Sequence, residues 1–187
     1  MKATPLAIRA HPLVLGTVLF LASELMFFAS LFAAFYTLRA QTRPWPPSGV
    51  HLDRLDASIG TGLLALSSLV TALASRALNR GNDRAAHGWL FAAASCAIGF
   101  VGISLSDYAK SGFGIASHVY GTLYYTLTGF HLAHVAAGIA LLLGLFFGMR
   151  SPALAADRRA GFEAISYYWH FVFVVWIGVF ASIFVLQ

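Results

Sequence analysis

Five side chains with acid–base or metal-ligating chemistry sit inside or beside apolar stretches of this 187-residue chain: Glu24, His131, His134, Glu163 and His170. Glu24 lies near the middle of an apolar run, 13–38, where an ionisable group costs about 2.5–3.5 kcal/mol on insertion scales. Something inside the protein must compensate it. His131 and His134 stand close enough on one helix to ligate a metal together with Glu24, Glu163 or His170. That spacing serves equally for histidines that only hydrogen-bond, and the repeated Glu-x-x-His pattern of di-iron bundles is missing. A haem would need axial histidines on facing helices, for which His134 and His170 are the pair to consider. For Glu24 two readings stay open. It is either a protonated acid donating one hydrogen bond, or a carboxylate that exchanges protons or shapes lipid.

The elements that position these groups follow from composition. Hydrophobic residues make up 59% of the chain and charged residues 10%, with a mean hydropathy of +0.76; these values describe an all-α integral membrane protein. Apolar runs fall at 13–38, 59–78, 89–105, 119–147 and 167–186. A helix needs ~20 residues, and at least ~17, to cross the hydrocarbon core, so five transmembrane helices are predicted, the third marginal in length. Connections are short, so residues 1–187 read as a single five-helix membrane domain. The first run is too long for a signal-peptide core and has no clear cleavage site, which makes it a retained helix. The loop after it carries Pro44-Trp45-Pro46-Pro47, a rigid extended segment. Trp45 and Trp89 lie near span ends, as interfacial anchors do. Cys96 is the single cysteine; one thiol builds no disulfide, thiolate zinc site or iron–sulfur cluster within the chain. No internal repeat and no paired broken helices point to a transporter.

Charge sets the expected orientation. With five spans, one side collects Lys2, Arg9, Arg76, Arg80, Arg84, Arg150, Arg158 and Arg159, and the other Arg39, Arg43, Arg54 and Lys110. Positive residues are retained on the cytoplasmic side, which places the N-terminus inside and the C-terminus outside. That bias and the anionic inner leaflet account for the net charge of +5 without a nucleic-acid partner. Arg150, Arg158 and Arg159 are ordinary positive-inside residues or, more sharply, phosphate-binding groups at the headgroup level.

Spacing assigns faces. Tyr120, Tyr124, Leu127, His131, His134 and Gly138 recur at steps of three and four on the fourth helix, and Glu163, Tyr167, His170, Val174 and Ile177 do so on the fifth. The two stripes are expected to face one another in the bundle interior with Glu24 close by. Trp169 and Trp176 are read as packing or lipid-contact aromatics.

Four segments together carry a family resemblance. Ser23-Glu24-Leu25-Met26-Phe27-Phe28, Trp45-Pro46-Pro47-Ser48-Gly49-Val50-His51, Thr128-Gly129-Phe130-His131-Leu132-Ala133-His134, and Gly161-Phe162-Glu163 with Tyr168-Trp169-His170-Phe171 resemble subunit III of haem–copper oxidases. The match runs in order over nearly the whole chain and is similar to the short, five-span bacterial form, which lacks the first two helices of the seven-span version.

The resemblance implies a non-catalytic subunit in a bacterial plasma membrane. It would be part of a cytochrome c oxidase complex that reduces oxygen and pumps protons. The haems and copper would belong to partner subunits, chiefly subunit I, its main contact, with subunit II and small subunits or a supercomplex as further partners. The chain itself would have no redox centre. It would bind phospholipid in a cleft, support proton uptake and protect the complex during turnover. Glu24 matches the family's buried carboxylate, His131 and His134 its paired histidines, Glu163 and His170 its last-helix motif, and Arg150 falls near its lipid-headgroup arginine. Two positions depart from the pattern: Phe173 stands where the family has an aspartate, and Ala160 where a histidine often precedes Gly-Phe-Glu. The scaffold role therefore carries over better than a proton-collecting one. A quinol oxidase subunit is the near alternative, and a stand-alone membrane metal or haem enzyme or transporter the remote one.

Overall fold

The computed structural model describes residues 11–50, 52–149 and 158–186. These form five α-helices with no strand among them: α1 (Pro12–Gln41), α2 (Arg54–Asn79), α3 (Asp83–Lys110), α4 (Val119–Gly148) and α5 (Arg158–Phe180), the last prolonged by a π-helical turn, Ala181–Val185. All five are long and apolar enough to cross a membrane.

The helices outrun the apolar segments because hydropathy marks hydrocarbon depth, whereas helix ends are marked by caps. Asp53 accepts from the amides of Leu55 and Asp56 at 2.9 and 3.2 Å, starting α2 five residues before its apolar run. Asn82 accepts from Ala85 N at 3.0 Å, and His118 from Gly121 N at 2.8 Å. The third helix likewise outruns its short apolar run: α3 has 28 residues, with charged residues at both ends. Between α2 and α3 the chain reverses through Gly81, whose φ of +75° suits a residue without a Cβ.

Register follows from contacts between helices. Residue numbers run in opposite senses in the contacts of α2 with α3 (Ser67–Ala93, Gly60–Phe100), α2 with α5 (Thr61–Trp176, Ser67–Trp169), α4 with α5 (His131–Val172, His134–Tyr168) and α1 with α4 (Glu24–His134, Phe27–Phe130), so each of these pairs is antiparallel. Tyr36 meets Ser182 and Phe20 stacks on Tyr168, so α1 and α5 run parallel. The result is an up-down bundle in which α5 touches α1, α2 and α4, while α3 bridges α2 and α4. Half of the apolar window of α5 is buried against 11% of that of α1. Helix α5 is the hub and α1 an outrider, burying only Val14, Phe28 and Phe35.

Tryptophan donors tie the hub together. Trp169 Nε1 donates to Ser67 Oγ at 3.1 Å, and Ser67 donates in turn to the Ala93 carbonyl at 2.8 Å, linking α5, α2 and α3. Trp176 Nε1 donates to Thr61 Oγ1 at 2.9 Å. These indoles are almost wholly buried, at 1% and 5% exposure, so they are interhelical anchors and not lipid-contact residues. Trp45 also turns inward: it meets Phe35 and Tyr120 edge-on at 5.5 and 5.0 Å, folding the first loop back over the bundle end.

Close approach of α4 to α5 depends on Gly138, where a Cβ would collide with the Trp169 ring. Gly138→Ala is therefore expected to cost about 1–3 kcal/mol through overpacking. Thermal unfolding in detergent checks this, and an unchanged midpoint would show that the indole has room to move.

Candidate functional site

The five titratable groups singled out in the sequence do not converge. Glu24 on α1 meets His134 on α4, with Oε2 and Nε2 2.9 Å apart. His131, one helical turn away, faces α5 and places Nε2 3.1 Å from the Val172 carbonyl. His170 points to α2, its Nδ1 2.6 Å from Ser68 Oγ. Glu163 is exposed and accepts from the Tyr167 hydroxyl at 2.9 Å on its own helix. Among the described residues no three of His, Cys, Asp and Glu come together as a metal-holding group. His134 and His170 are each engaged with a different helix, so they do not form the facing pair that an axial haem ligation would use.

The expectation of two facing stripes is corrected on α5. Tyr167, Val174 and Ile177 are exposed along with Glu163, and His170 is half-buried at the edge of that face. The inward face is Phe162, Ser166, Trp169, Val172, Trp176 and Val179. Periodicity groups residues onto a face but does not say which way it points when both faces are apolar. On α4 the expectation fares better: Tyr120, Tyr124, Leu127, His131 and Gly138 are buried together.

Proton bookkeeping defines the Glu24–His134 pair. His134 Nδ1 lies 2.7 Å from the Phe130 carbonyl, which only accepts, so Nδ1 carries a hydrogen. The contact between Nε2 and the carboxyl then needs one more proton. It resides either on His134, giving an imidazolium–carboxylate pair, or on Glu24, whose O–H donates to a neutral ring. Both forms hold the same number of protons and the same net charge of zero. The pair thus crosses the apolar layer without a net charge, which removes most of the cost that Glu24 alone would incur.

The surroundings hold this geometry. Phe28 stands edge-on to the His134 ring at 5.0 Å, and Phe27 lies 6.4 Å from it and packs edge-on against Phe130. The Tyr168 hydroxyl donates to the His134 carbonyl at 2.9 Å, bringing α5 to the same level. Glu24 and His134 keep 19% and 18% side-chain exposure, so the pair opens toward the outer surface of the bundle.

Arg158 and Arg159 sit at the start of α5, at the same end as Arg76, Arg80 and Arg84. Arg158 donates from Nη1 to Asp83 at 3.1 Å across to α3, while Arg159 is exposed. Arg150 and His51 lie outside the described residues. Phe173 packs against the core. The residues that sequence reasoning missed are Thr61, Ser67 and Ser68. Their signal was partial: Trp169 and Trp176 are seven apart on α5 and their acceptors Ser67 and Thr61 six apart on α2, each close to two helical turns.

The shared proton makes Glu24→Gln mild, because the amide N–H donates to Nε2 of a neutral His134; stability is expected within about 1 kcal/mol of wild type. Glu24→Ala strands that nitrogen at a cost of about 1–3 kcal/mol. A double-mutant cycle with His134→Ala should return a coupling of about 0.6–1.7 kcal/mol, the range of hydrogen bonds between transmembrane helices. If Glu24→Gln abolished assembly, the ion-pair form would be the operative one.

The chain is similar to known proteins over almost all of its length. A family model described as Cytochrome c oxidase subunit III matches residues 6–187. Cytochrome c oxidase subunit 3 of Thermostichus vulcanus is 34% identical over 174 residues, covering 92% of this chain and 87% of that one. A probable cytochrome c oxidase subunit 3 of Nocardia farcinica is 33% identical over 183 residues, with 96% and 90% covered. The Dugong dugon protein of the same name is 35% identical over 176 residues, covering 90% of this chain and 67% of its own. With five membrane-length helices in one bundle and this extent of match, the chain belongs to the cytochrome c oxidase subunit III family.

Proposed function

We propose that the chain serves as the non-catalytic subunit III of a bacterial proton-pumping terminal oxidase, binding phospholipid and steadying the complex during turnover. In this reading it lies in the plasma membrane with its N-terminus cytoplasmic and packs on subunit I beside subunit II. The haems and copper belong to those partners. The names of the relatives favour cytochrome c as electron donor over quinol.

The observation that carries the lipid role is a pair of adjoining grooves, of about 310 and 550 Å³, between α1, α4 and α5. They share Leu13, Ala140, Leu141, Gly161 and Ile165, an apolar floor that suits acyl chains. Arg158 lines one end of the floor. One of its terminal nitrogens is held by Asp83, and the side chain keeps 21% exposure. A guanidinium so placed has a donor left for a phosphate oxygen. The expected topology puts this end at the cytoplasmic leaflet, where anionic headgroups are abundant.

In the oxidase complex purified in mild detergent, Arg158→Leu is expected to lower co-purifying phospholipid and shorten the period of sustained oxygen reduction, with the initial rate little changed. Asp83→Asn frees Arg158 without removing it and should retain the lipid. Equal lipid content in Arg158→Leu and wild type would sink the headgroup assignment. Recovery of the chain from native membranes without haem–copper subunits would sink the subunit assignment.

A further inference from the structure

The Glu24–His134 pair accounts for one of the two histidines on the middle of α4; His131 is left with half of its chemistry unexplained. At the bundle end holding the N-termini of α2 and α4, an open pocket of about 610 Å³ is bordered by Asp53, Asp107, Lys110 and Ser111. A second cavity of about 20 Å³ lies deeper, among Ser104, Asp107, Tyr108, Thr128 and His131. The two share Asp107, Tyr124 and Phe184, so Asp107 stands where the wide pocket meets the narrow one.

Two residues that line the inner cavity each carry a buried polar atom without a protein partner: Asp107 Oδ1 and His131 Nδ1. His131 is 1% exposed. Its Nε2 faces the Val172 carbonyl, which only accepts, so Nε2 carries the hydrogen and Nδ1 of the neutral ring presents a lone pair. Three of the neighbouring hydroxyls have no hydrogen to offer it. Ser104 donates to the Phe100 carbonyl at 3.0 Å, Tyr108 to Thr128 Oγ1 at 2.7 Å, and Thr128 to the Tyr124 carbonyl at 2.5 Å. The carboxylate of Asp107 and these oxygens are acceptors like Nδ1. What the cavity can take is a small hydrogen-bond donor, and a volume of 20 Å³ exceeds the ~10–15 Å³ that one water requires.

We propose that this cavity is a water-binding site, filled from the open pocket past Asp107, with the water donating to Nδ1 of His131 and to an oxygen of the Asp107 side. Water meets the need for two to four polar partners here, which an apolar cavity does not. The site links the middle of α4 to the aqueous phase at the α2 and α4 N-terminal end. It does so along a route separate from the Glu24–His134 pair, which opens to the outer surface of the bundle. The assignment needs no lipid and no particular electron donor, so it stands or falls apart from the proposed function.

The test is a map of the assembled oxidase at a resolution that shows ordered water. A density peak within hydrogen-bonding distance of both His131 Nδ1 and a lining oxygen is the expected result; a dry cavity, or a partner's side chain filling it, overturns the proposal. Radiolytic hydroxyl footprinting of the same complex gives an independent reading, because activated internal water labels the side chains it touches. His131 and Trp176 should be labelled despite their burial, and Ser104→Leu, which fills the cavity, should cut that labelling several-fold while leaving exposed Trp89 unchanged. Absence of label at His131 in wild type, or label unaffected by Ser104→Leu in an assembled complex, also overturns it. Should the variant fail to assemble, the density and the wild-type labelling decide.

Discussion

Hydrocarbon offers no hydrogen bonds, and this constraint organises the bundle: each polar side chain at membrane depth must find its partner on a neighbouring helix, its own backbone or a trapped water. Helix α5 answers it most often. Trp169 and Trp176 donate to α2, His170 contacts Ser68, Tyr168 donates to the His134 carbonyl, and the Val172 carbonyl receives His131. Each bond contributes little, about 0.6 kcal/mol on average between transmembrane helices. Their value lies in register. A slide of α5 by one turn would strand several donors at once.

Helix α1 shows the same constraint from the other side. It buries little of its surface, so packing alone holds it loosely. Two polar contacts, Glu24 with His134 and Tyr36 with Ser182, pin it at two heights along the bundle. The first is neutral as a unit whichever partner holds the proton, which is why a carboxyl group can sit at this depth. Aromatic rings of Phe27 and Phe28 close around the imidazole and keep the two groups aligned. The apolar grooves beside this helix arise from the same looseness: α1 leaves room along α4 and α5 that the described side chains do not fill.

The two histidines on α4 have the same chemistry and different surroundings. His134 is half-buried beside a carboxyl group, whereas His131 is sealed between Phe100 and Trp176, with ring centroids at 5.9 and 5.0 Å. Three residues of separation turn the helix by about 300°, enough to direct one ring to α1 and the other to α5. Phe173 fits the same logic, since it packs against the core and asks for no polar partner.

Composition and run length alone determined that the chain is helical and spans a membrane five times, because hydropathy over ~20 residues reports on the solvent. Isolated acids and histidines in those runs also announced themselves as groups in need of partners. Which partner each one takes was settled only by tertiary structure. Helices α1 and α4 are apolar on every side, so their periodicity carries no direction, and the outward stripe of Glu163, Tyr167, Val174 and Ile177 on α5 could not be told from an inward one. The end of each helix likewise depended on caps such as Asp53 and Asn82, which the apolar runs do not contain. Glu24 was legible as a buried acid. That it meets His134 is a fact of geometry, with the carbonyl at Phe130 engaging the other ring nitrogen and leaving Nε2 to face the carboxyl group.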